Sequence, residues 1–300
     1  MLKKKVMRFI GVFTGGSSIN KIFPKWAETL NLDAKLIGLD LPIGASAEQY
    51  KGALDEMLSD PNCVGALVTT HKIALYESAK DRFESLDSFA RACGEISSIK
   101  IRGGKLYGSA KDPLTAGLAI EDFLEPDHFN SGASVLCFGD GGAAIAIAWY
   151  LTGIKTAPKN IYFSGISQSR LKHLESVIAT RPYSARVKTL LADPVEISKT
   201  LGSLAPGSLI INATGMGKDI PGSPIPNGSR FPDQAIVWEL NYRGSLEFLQ
   251  HAKSQGGNLK IHDGWRYFIH GWSQVVAEVF DIELTPQLLV KLSATAERAK

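Results

Sequence analysis

The stretch SVLCFGDGGAAIAIAWYL, residues 134–151, decides the fold class of this chain. An apolar, strand-like run leads into Gly139-Asp140-Gly141-Gly142-Ala143-Ala144, and an apolar, helix-like run follows at once. This order matches the pattern G-x-G-x-x-A in its expected setting, because glycines between a strand and a helix let the backbone approach a pyrophosphate at the helix N-terminus. The pattern predicts a dinucleotide-binding turn; a plain tight strand–helix turn is the alternative. Since an inward carboxylate would repel phosphate, we expect Asp140 to face outward.

The choice between NAD and NADP is not encoded plainly. In such units the residue that binds the ribose lies roughly 20 positions after the glycines, and here that region reads Phe163-Ser164-Gly165-Ile166-Ser167. It contains no Asp or Glu, and the nearest cation is Arg170 on the following helix. Ser164 or Ser167 could bond to either cofactor, so both remain open.

Strand-like and helix-like segments alternate along almost the whole chain. Strands regularly separated by helices of this length favour an α/β class with parallel sheets. A polar, turn-rich stretch near residues 125–132 indicates a boundary, and helical patterns return after residue 262. We therefore predict an N-terminal α/β substrate domain at 1–125, joined by 262–300, whose C-terminal helices pack back on it. A Rossmann-type domain follows at 126–261, with a cleft between the two domains.

Composition excludes several classes of protein. The chain has 300 residues, of which 44% are hydrophobic and 21% charged, as is usual for globular proteins. A net charge of +3 without a basic cluster argues against a nucleic-acid partner, and no apolar run reaches the roughly 20 residues of a membrane helix. Cys63, Cys93 and Cys137 have neither metal-ligand nor disulfide-scaffold spacing. We expect a metal-free cytoplasmic protein, monomeric or homodimeric.

Lys72 and Asp112 are the candidate catalytic pair. Lys72 follows a strand-like segment, and Asp112 stands at the start of a helix-like one. An alcohol dehydrogenation needs a base for the hydroxyl proton, and a carboxylate can hold a lysine in place for that task. Spacing alone favours the alternative of a solvated surface lysine and an N-capping aspartate. His71, beside Lys72, is expected to face solvent.

At this point the chain resembles the shikimate/quinate dehydrogenase family, from about residue 10 to residue 285. Each family motif has a counterpart here, in the family's order. The serine-bearing loop resembles GGSSINKIFPKW at 15–26, N-V-T-x-P-x-K resembles LVTTHK at 67–72, G-A-V-N-T resembles GEISS at 94–98, G-x-N-T-D resembles GSAKD at 108–112, N-A-T-x-x-G-M resembles NATGM at 212–216, D-x-x-Y-x-P resembles ELNYRG at 239–244, and D-G-L resembles DGW at 263–265.

The resemblance implies a role for each matching residue. Lys72 would pass the proton and Asp112 would orient it. Residues that would bind a carboxylated, hydroxylated ring are Ser17, Thr69, Ser97, Tyr242 and Gln274. Residues that would bind NAD or NADP are Gly139, Gly141, Gly142, Ala143, Ser167, Asn212, Thr214 and Met216. No metal is implied.

Several positions depart from the family's pattern. The second loop serine is Ile19, the substrate-binding asparagine is Ser97, and Lys111 adds a cation before Asp112. The family's helix glutamine aligns with Gly271, and Gln274 lies one turn further on the same helix face. The N-R-T motif that reads the NADP phosphate becomes Gly-Ile-Ser at 165–167, without its arginine.

Three functions follow as hypotheses. The first is an NAD(P)-dependent oxidoreductase that exchanges a hydride with a secondary alcohol or ketone of a ring hydroxy acid, shikimate- or quinate-like, as in aromatic amino acid biosynthesis. The second is a catalytically silent ligand-sensing or regulatory protein on the same fold, which is favoured by the replacement of several of the family's substrate-binding residues. The third is a folate-type dehydrogenase of similar architecture.

Overall fold

The structure, a computed structural model, describes residues 4–179, 181, 186–218 and 220–300. The chain divides into two compact units, unit 1 (Met1–Asp112 with Ile269–Lys300) and unit 2 (Pro113–Phe268). The described strands are β1 (Lys5–Gly11), β2 (Ala34–Asp40), β3 (Cys63–Val68), β4 (Phe83–Leu86), β5 (Ser98–Arg102), β6 (Lys105–Ser109), β7 (Val135–Phe138), β8 (Asn160–Gly165), β9 (Arg186–Leu191), β10 (Leu209–Asn212), β11 (Ile236–Glu239) and β12 (Lys260–His262). The described helices, apart from 3-10 turns, are α1 (Ile19–Thr29), α2 (Ala47–Ser59), α3 (Lys72–Ala79), α4 (Ser88–Cys93), α5 (Asp112–Glu121), α6 (Gly142–Leu151), α7 (Gln168–Ile178), α8 (Pro194–Ser203), α9 (Glu247–Gln255), α10 (Trp265–Phe280) and α11 (Pro286–Glu297).

Unit 2 contains a fully parallel sheet in the order β12-β11-β10-β7-β8-β9. Counted from β7 as the first strand, this is the order 3-2-1-4-5-6 of a doubly wound dinucleotide-binding fold. The strand order reverses at β7 and β10, because the chain adds β8 and β9 on one side of β7 and then β10, β11 and β12 on the other. Ligands of such sheets bind beyond the carboxyl ends of the strands at that point. The Rossmann-type fold predicted from the glycine turn is confirmed.

The sequence around the turn explains why β7 and α6 lie at the centre of unit 2. All four residues of β7 are buried, as expected for a strand with parallel neighbours on both sides. The helix α6 is apolar around most of its circumference, and six of its ten residues are buried. A helix of that kind belongs inside a protein rather than on its surface.

Unit 1 contains a mixed sheet in the order β2-β1-β3-β5-β6-β4. The prediction of parallel strands holds for β1, β2 and β3 but is wrong for β5, which runs antiparallel to β3 and β6. The β5–β6 hairpin turns at Gly103 and Gly104, whose φ angles are +55° and +71°. A Gly-Gly pair is suited to a two-residue hairpin turn, because both central residues need a positive φ.

The C-terminal helices pack back on the N-terminal sheet and helices of unit 1, as predicted. Trp26 of α1 donates its indole N–H to the carbonyl of Leu292 in α11 over 2.9 Å, and the indole is fully buried. Phe9 of β1 meets Trp272 of α10 edge to face, with ring centroids 4.9 Å apart.

The sequence-based boundary near residues 125–132 follows α5, whereas unit 2 begins at Pro113. Most of α5 therefore belongs with unit 2. Two contacts hold it there: the Tyr150 hydroxyl donates to the Glu121 carboxylate over 2.8 Å, and Phe123 packs against Trp238 with ring centroids 5.5 Å apart.

Candidate active site and dinucleotide-binding loop

Lys72 and Asp112 meet in unit 1 although 40 positions separate them. Lys72 is the first residue of α3, directly beyond β3, and Asp112 is the first residue of α5. The Lys72 ammonium donates a hydrogen bond to Asp112 Oδ2, and the two side chains are 21% and 9% exposed. The tertiary structure thus forms an ion pair in which the aspartate is almost fully buried and the lysine keeps partial access to solvent.

The charges around Lys72 favour its protonated form. Burial by itself lowers the pKa of the Lys72 ammonium, but the negative charges of Asp112 and Glu95 and the hydrogen bond to Asp112 outweigh it. The pKa of Lys72 is therefore raised above its ordinary value. At neutral pH the group therefore carries a proton.

Glu95 is a third ionisable group of this cluster, and the sequence analysis missed its role. Its side chain is fully buried, and neither carboxyl oxygen has a hydrogen-bond partner among the described residues. Burial, with the nearby negative charges of Asp112 and Asp87, raises its pKa to about 8 despite the opposing charge of Lys72. The signal in the sequence was a glutamate where the family motif G-A-V-N-T has alanine.

His71 is buried, so the expectation that it faces solvent is wrong. Its Nδ1 lies 2.8 Å from the Tyr50 hydroxyl, and its Nε2 lies 3.0 Å from the carbonyl of Leu41. Burial lowers the pKa of the imidazole. With both ring nitrogens engaged, His71 fixes the turn that delivers Lys72 from β3 to α3.

Three of the predicted substrate-binding side chains lie in loops at the ends of unit 1 strands. Thr69, just after β3, donates its hydroxyl to the carbonyl of Ile10 over 3.3 Å. Ser17 Oγ accepts from the Ile19 amide over 3.4 Å, which leaves its hydroxyl hydrogen available to a ligand. Ser97 is buried, and its Oγ accepts from the Lys111 amide over 2.7 Å, so it also fixes the segment before Asp112.

Gln274 and Lys111 line one cavity of about 490 Å³ in unit 1. Gln274 lies on α10, and Glu278 lies one turn further along that helix in the same cavity. The Lys111 ammonium is 3.1 Å from a Glu278 carboxylate oxygen. Glu278 therefore offsets the extra cation that the sequence adds beside Asp112.

Tyr242, the remaining predicted substrate contact, belongs to unit 2. Its ring packs against Phe268, with centroids 4.5 Å apart, and against Trp265, with centroids 5.5 Å apart. These two aromatic contacts fix the plane of the phenol ring.

The glycine turn leaves room where a phosphate would need it. Gly139 has a φ of +129°, and a Cβ there would lie 2.8 Å from the Ala213 carbonyl oxygen, so this glycine lets β7 and β10 approach. Gly141 is the N-cap of α6, and a Cβ there would meet nothing within 4 Å. Gly142 and Ala143 form the first turn of α6, whose amide groups have no helical partners. An open space in front of free amide groups at a helix N-terminus fits a dinucleotide pyrophosphate.

Asp140 does not face outward as expected. The residue is only 6% exposed, and its Oδ2 accepts a hydrogen bond from the Ser167 amide over 2.8 Å. Ser167, a predicted cofactor contact, is also the N-cap of α7, where its Oγ accepts from the Arg170 amide. The carboxylate points to the β8–α7 loop because the backbone N–H of Ser167 there donates a hydrogen bond to it.

The segment after β10 is held by a buried polar network. Asn212 is fully buried, donates to Glu239 Oε2 over 2.6 Å, and accepts from the amide and the hydroxyl of Thr214. The Thr214 hydroxyl oxygen in turn accepts from the Met216 amide over 3.1 Å. Asn212 therefore positions Thr214 directly and Met216 through Thr214. Burial raises the pKa of Glu239 to about 7, against the hydrogen bonds from Asn241 and Asn212 that lower it.

The described residues offer neither a metal site nor a membrane-spanning helix. No group of three or more His, Cys, Asp or Glu side chains among them could hold a metal ion. Of the helices in the same part of the chain, none is both long enough and apolar enough to cross a bilayer.

The curated relatives are shikimate dehydrogenases. One is the shikimate dehydrogenase (NADP(+)) of Streptococcus pneumoniae strain Hungary19A-6, which is 27% identical to this chain over 181 residues. The match covers 58% of each protein, so the chain spans less than two thirds of the length of the curated relatives it matches. No protein-family model matches the chain.

Solved structures extend the likeness over the whole chain. The shikimate dehydrogenase of Aquifex aeolicus superposes with a TM-score of 0.77 at 17% identity, covering 100% of this chain and 98% of the other. The chain is thus similar to shikimate dehydrogenases in part of its sequence and in its whole fold. A quinate dehydrogenase of Corynebacterium glutamicum in complex with NAD matches with a TM-score of 0.75 at 19% identity, covering 98% and 99%. At these identities the structural likeness shows that the chain shares their fold.

Proposed function

We propose that this protein is an NAD(P)-dependent dehydrogenase that exchanges a hydride with a secondary alcohol or ketone of a ring hydroxy acid. The observation that carries the proposal is the Lys72–Asp112 pair, a lysine held by a nearly dry carboxylate in a relative of the shikimate dehydrogenases. Unit 1 would hold the substrate, and unit 2 would hold the nucleotide.

The residues of unit 1 supply the proton chemistry. In the reduction direction the Lys72 ammonium donates a proton to the carbonyl oxygen while the carbonyl carbon receives the hydride. The product is a secondary alcohol, and the neutral amine takes a proton back from solvent, to which Lys72 is 21% exposed. Asp112 keeps the amine in place throughout. In the oxidation direction the same atoms move in reverse, and Lys72 accepts the hydroxyl proton.

The residues of unit 2 fit a nicotinamide dinucleotide. When bound, the nicotinamide supplies or takes up the hydride. Gly139, Gly141 and Gly142 would hold the pyrophosphate at the N-terminus of α6, where Gly141 leaves open space. Residues proposed to contact the rest of the cofactor are Ala143, Ser167, Thr214 and Met216. Asn212 would hold Thr214 and Met216 in place through its hydrogen bonds.

A small carboxylated ring is the proposed substrate class. Shikimate dehydrogenases are among the curated relatives, and four residues stand at positions of the family's substrate-binding motifs: Ser17, Thr69, Ser97 and Tyr242. Gln274 lies one turn from the position of the family's glutamine and would take its place. Ile19 and Gly271 remove two of the family's polar side chains, so shikimate and a related ring acid are equal candidates for the substrate. The cytoplasmic location, the monomeric or homodimeric state and the absence of a nucleic-acid partner stay predictions.

A turnover screen tests the proposal. The purified chain is incubated with NAD or NADP and a panel of ring hydroxy acids, or with the reduced cofactors and ring keto acids, and absorbance at the nicotinamide band is followed. We expect turnover of at least one ring acid that is lost in Lys72→Ala. Binding of ring acids without turnover on any of them would show the ligand-sensing alternative to be correct. Heat protection by a folate but not by ring acids would favour a folate-type dehydrogenase.

The raised pKa of Lys72 predicts different pH dependences for the two directions. Reduction needs the ammonium, whose pKa lies above its ordinary 10.5, so kcat/KM for reduction should stay level up to pH about 10. Oxidation needs the neutral amine, so its kcat/KM should rise with pH over the same range. Steady-state kinetics in both directions between pH about 6 and 10 measure this. Parallel profiles in the two directions would contradict a proton role for Lys72.

Gly141→Ala should weaken nucleotide binding without weakening the fold. A Cβ at Gly141 meets no protein atom within 4 Å and the φ of −93° suits alanine, but the methyl group would stand where the pyrophosphate is proposed to bind. We expect the Kd for the nucleotide to rise about tenfold or more, or about 1.4 kcal/mol, by calorimetric titration. Gly202→Ala on α8, also with open space around its Cβ, is the matched control and should leave Kd unchanged. Equal effects of the two substitutions would remove the glycine turn from the binding site.

A further inference from the structure

Asp140 reaches from the glycine turn to the end of β8. Its carboxylate accepts from the Ser167 amide, and the residue is 6% exposed. A Cβ on Gly165 would lie 2.6 Å from the Asp140 Cβ and 2.7 Å from its Oδ2. Only a glycine at the last position of β8 therefore leaves room for the aspartate. The contact between the glycine turn and the β8–α7 loop therefore requires both the carboxylate of Asp140 and the missing side chain of Gly165.

The end of β8 is the place where this fold distinguishes NAD from NADP. In dinucleotide-binding units an acidic residue near the end of the second strand binds the 2′-hydroxyl of the ribose, and an arginine accommodates a 2′-phosphate. β8 is the second strand of unit 2, and Gly165, Ile166 and Ser167 at its end carry no charge. The carboxylate present at this place comes from Asp140, which lies 25 positions earlier in the chain.

The groups that could bind a 2′-phosphate are engaged or neutralised by the same carboxylate. The Ser167 amide already donates to Asp140 Oδ2. The Arg170 guanidinium, the nearest cation after the strand, lies 3.7 Å from Asp140 Oδ1, so its charge is offset. Ile166 is 84% exposed and offers no hydrogen-bond donor from its side chain. A dianionic phosphate at this place would lie beside the like charge of Asp140.

We propose that Asp140 makes this protein select NAD over NADP. The inference rests on the proposed function, because it requires a nicotinamide dinucleotide at the glycine turn. It goes beyond that function by naming the cofactor and the residue that selects it.

Binding measurements with both nucleotides test the selection without any turnover. Calorimetric titration of the full chain with NAD and with NADP should give a Kd for NAD at least about tenfold lower, a difference of about 1.4 kcal/mol. In Asp140→Asn the amide oxygen can still accept from Ser167, but the negative charge is gone. The Kd for NADP should then fall about tenfold while the Kd for NAD stays within a few-fold.

Asp193→Asn is the matched control. Asp193 also accepts backbone amides, those of Val195 and Glu196 at the start of α8, and its replacement should change neither Kd. Thermal unfolding of the variants checks that the loops remain folded. Equal or tighter binding of NADP by the unaltered chain, or an unchanged ratio of the two Kd values in Asp140→Asn, overturns the selection by Asp140 alone. Failure of both nucleotides to bind overturns the proposed function together with it.

Discussion

Lys72→Met should lower kcat for the proposed dehydrogenation by about 10²–10⁴-fold, the usual range for loss of a positioned acid or base. The substitution keeps most of the length of the side chain but removes the group that exchanges a proton with the substrate oxygen. KM should change less than kcat, because Lys72 acts most strongly where charge develops on that oxygen. Steady-state kinetics at saturating nucleotide measure both constants.

A matched control separates this effect from a general loss of charge. Lys105→Met removes another lysine of unit 1, which pairs with Glu84 over 3.0 Å on the surface, and should leave kcat unchanged. Because Lys72→Met leaves the Asp112 carboxylate without its cation, the variant Lys72→Met/Asp112→Asn is made as well and should be equally inactive but more stable. A kcat for Lys72→Met within a few-fold of the unaltered protein would show that Lys72 does not move the proton.

Glu95→Gln should stabilise the protein at alkaline pH. The pKa of Glu95 is raised from an ordinary 4.5 to about 8 by burial, so the native state holds a proton that the unfolded state releases between these two values. Stability contributed by this proton is complete below pH 4.5 and is lost as pH rises to about 8. A neutral amide of the same shape has no such loss. Each pKa unit corresponds to about 1.36 kcal/mol, which sets an upper limit of about 5 kcal/mol on the difference.

Urea denaturation of both proteins at several pH values measures this difference. The free energy of unfolding of Glu95→Gln minus that of the unaltered protein should increase steadily from pH 5 to 8 and then level off, since titrations shared by the two proteins cancel. Glu84→Gln, on the exposed partner of Lys105, is the control, and its difference should remain nearly constant with pH. A constant difference for Glu95→Gln would mean that Glu95 is ionised in the native state throughout this range.

The same variant reports on Lys72. Ionised Glu95 is one of the charges that raise the pKa of Lys72, so its removal should lower that pKa. The alkaline rise of the oxidation rate should accordingly begin at lower pH in Glu95→Gln. This second measurement depends on turnover, whereas the denaturation experiment does not.

How far the sequence predicts the fold depends on how local the signal is. The turn at Gly139–Ala144 was readable because strand, glycines and helix follow one another within 18 residues. The β5–β6 hairpin was not predicted, although Gly103-Gly104 is a turn signal, because its two short strands stabilise each other by pairing rather than by a strong local pattern. The same holds for β4 and β12, which have only four and three residues.

The candidate site shows the same division. Lys72 and Asp112 were identified through the family's motifs, because a separation of 40 positions says nothing about whether two side chains meet. The positions of His71 and Asp140 were predicted wrongly, since each turns toward a hydrogen-bond partner that lies elsewhere in the chain. Glu95 is a visible departure from the motif, but only its burial shows that the departure has a consequence.

By itself the sequence determined an α/β architecture and a glycine turn suited to a dinucleotide, because periodicity and turn chemistry act between near neighbours. The tertiary structure alone decided that Lys72 interacts with the charges of Asp112 and of the buried Glu95. It also decided that the Asp140 carboxylate binds the backbone at the end of β8. Protonation states and charge selectivity depend on the distance between charges and on their exposure to water. Both quantities are set only when distant segments pack together.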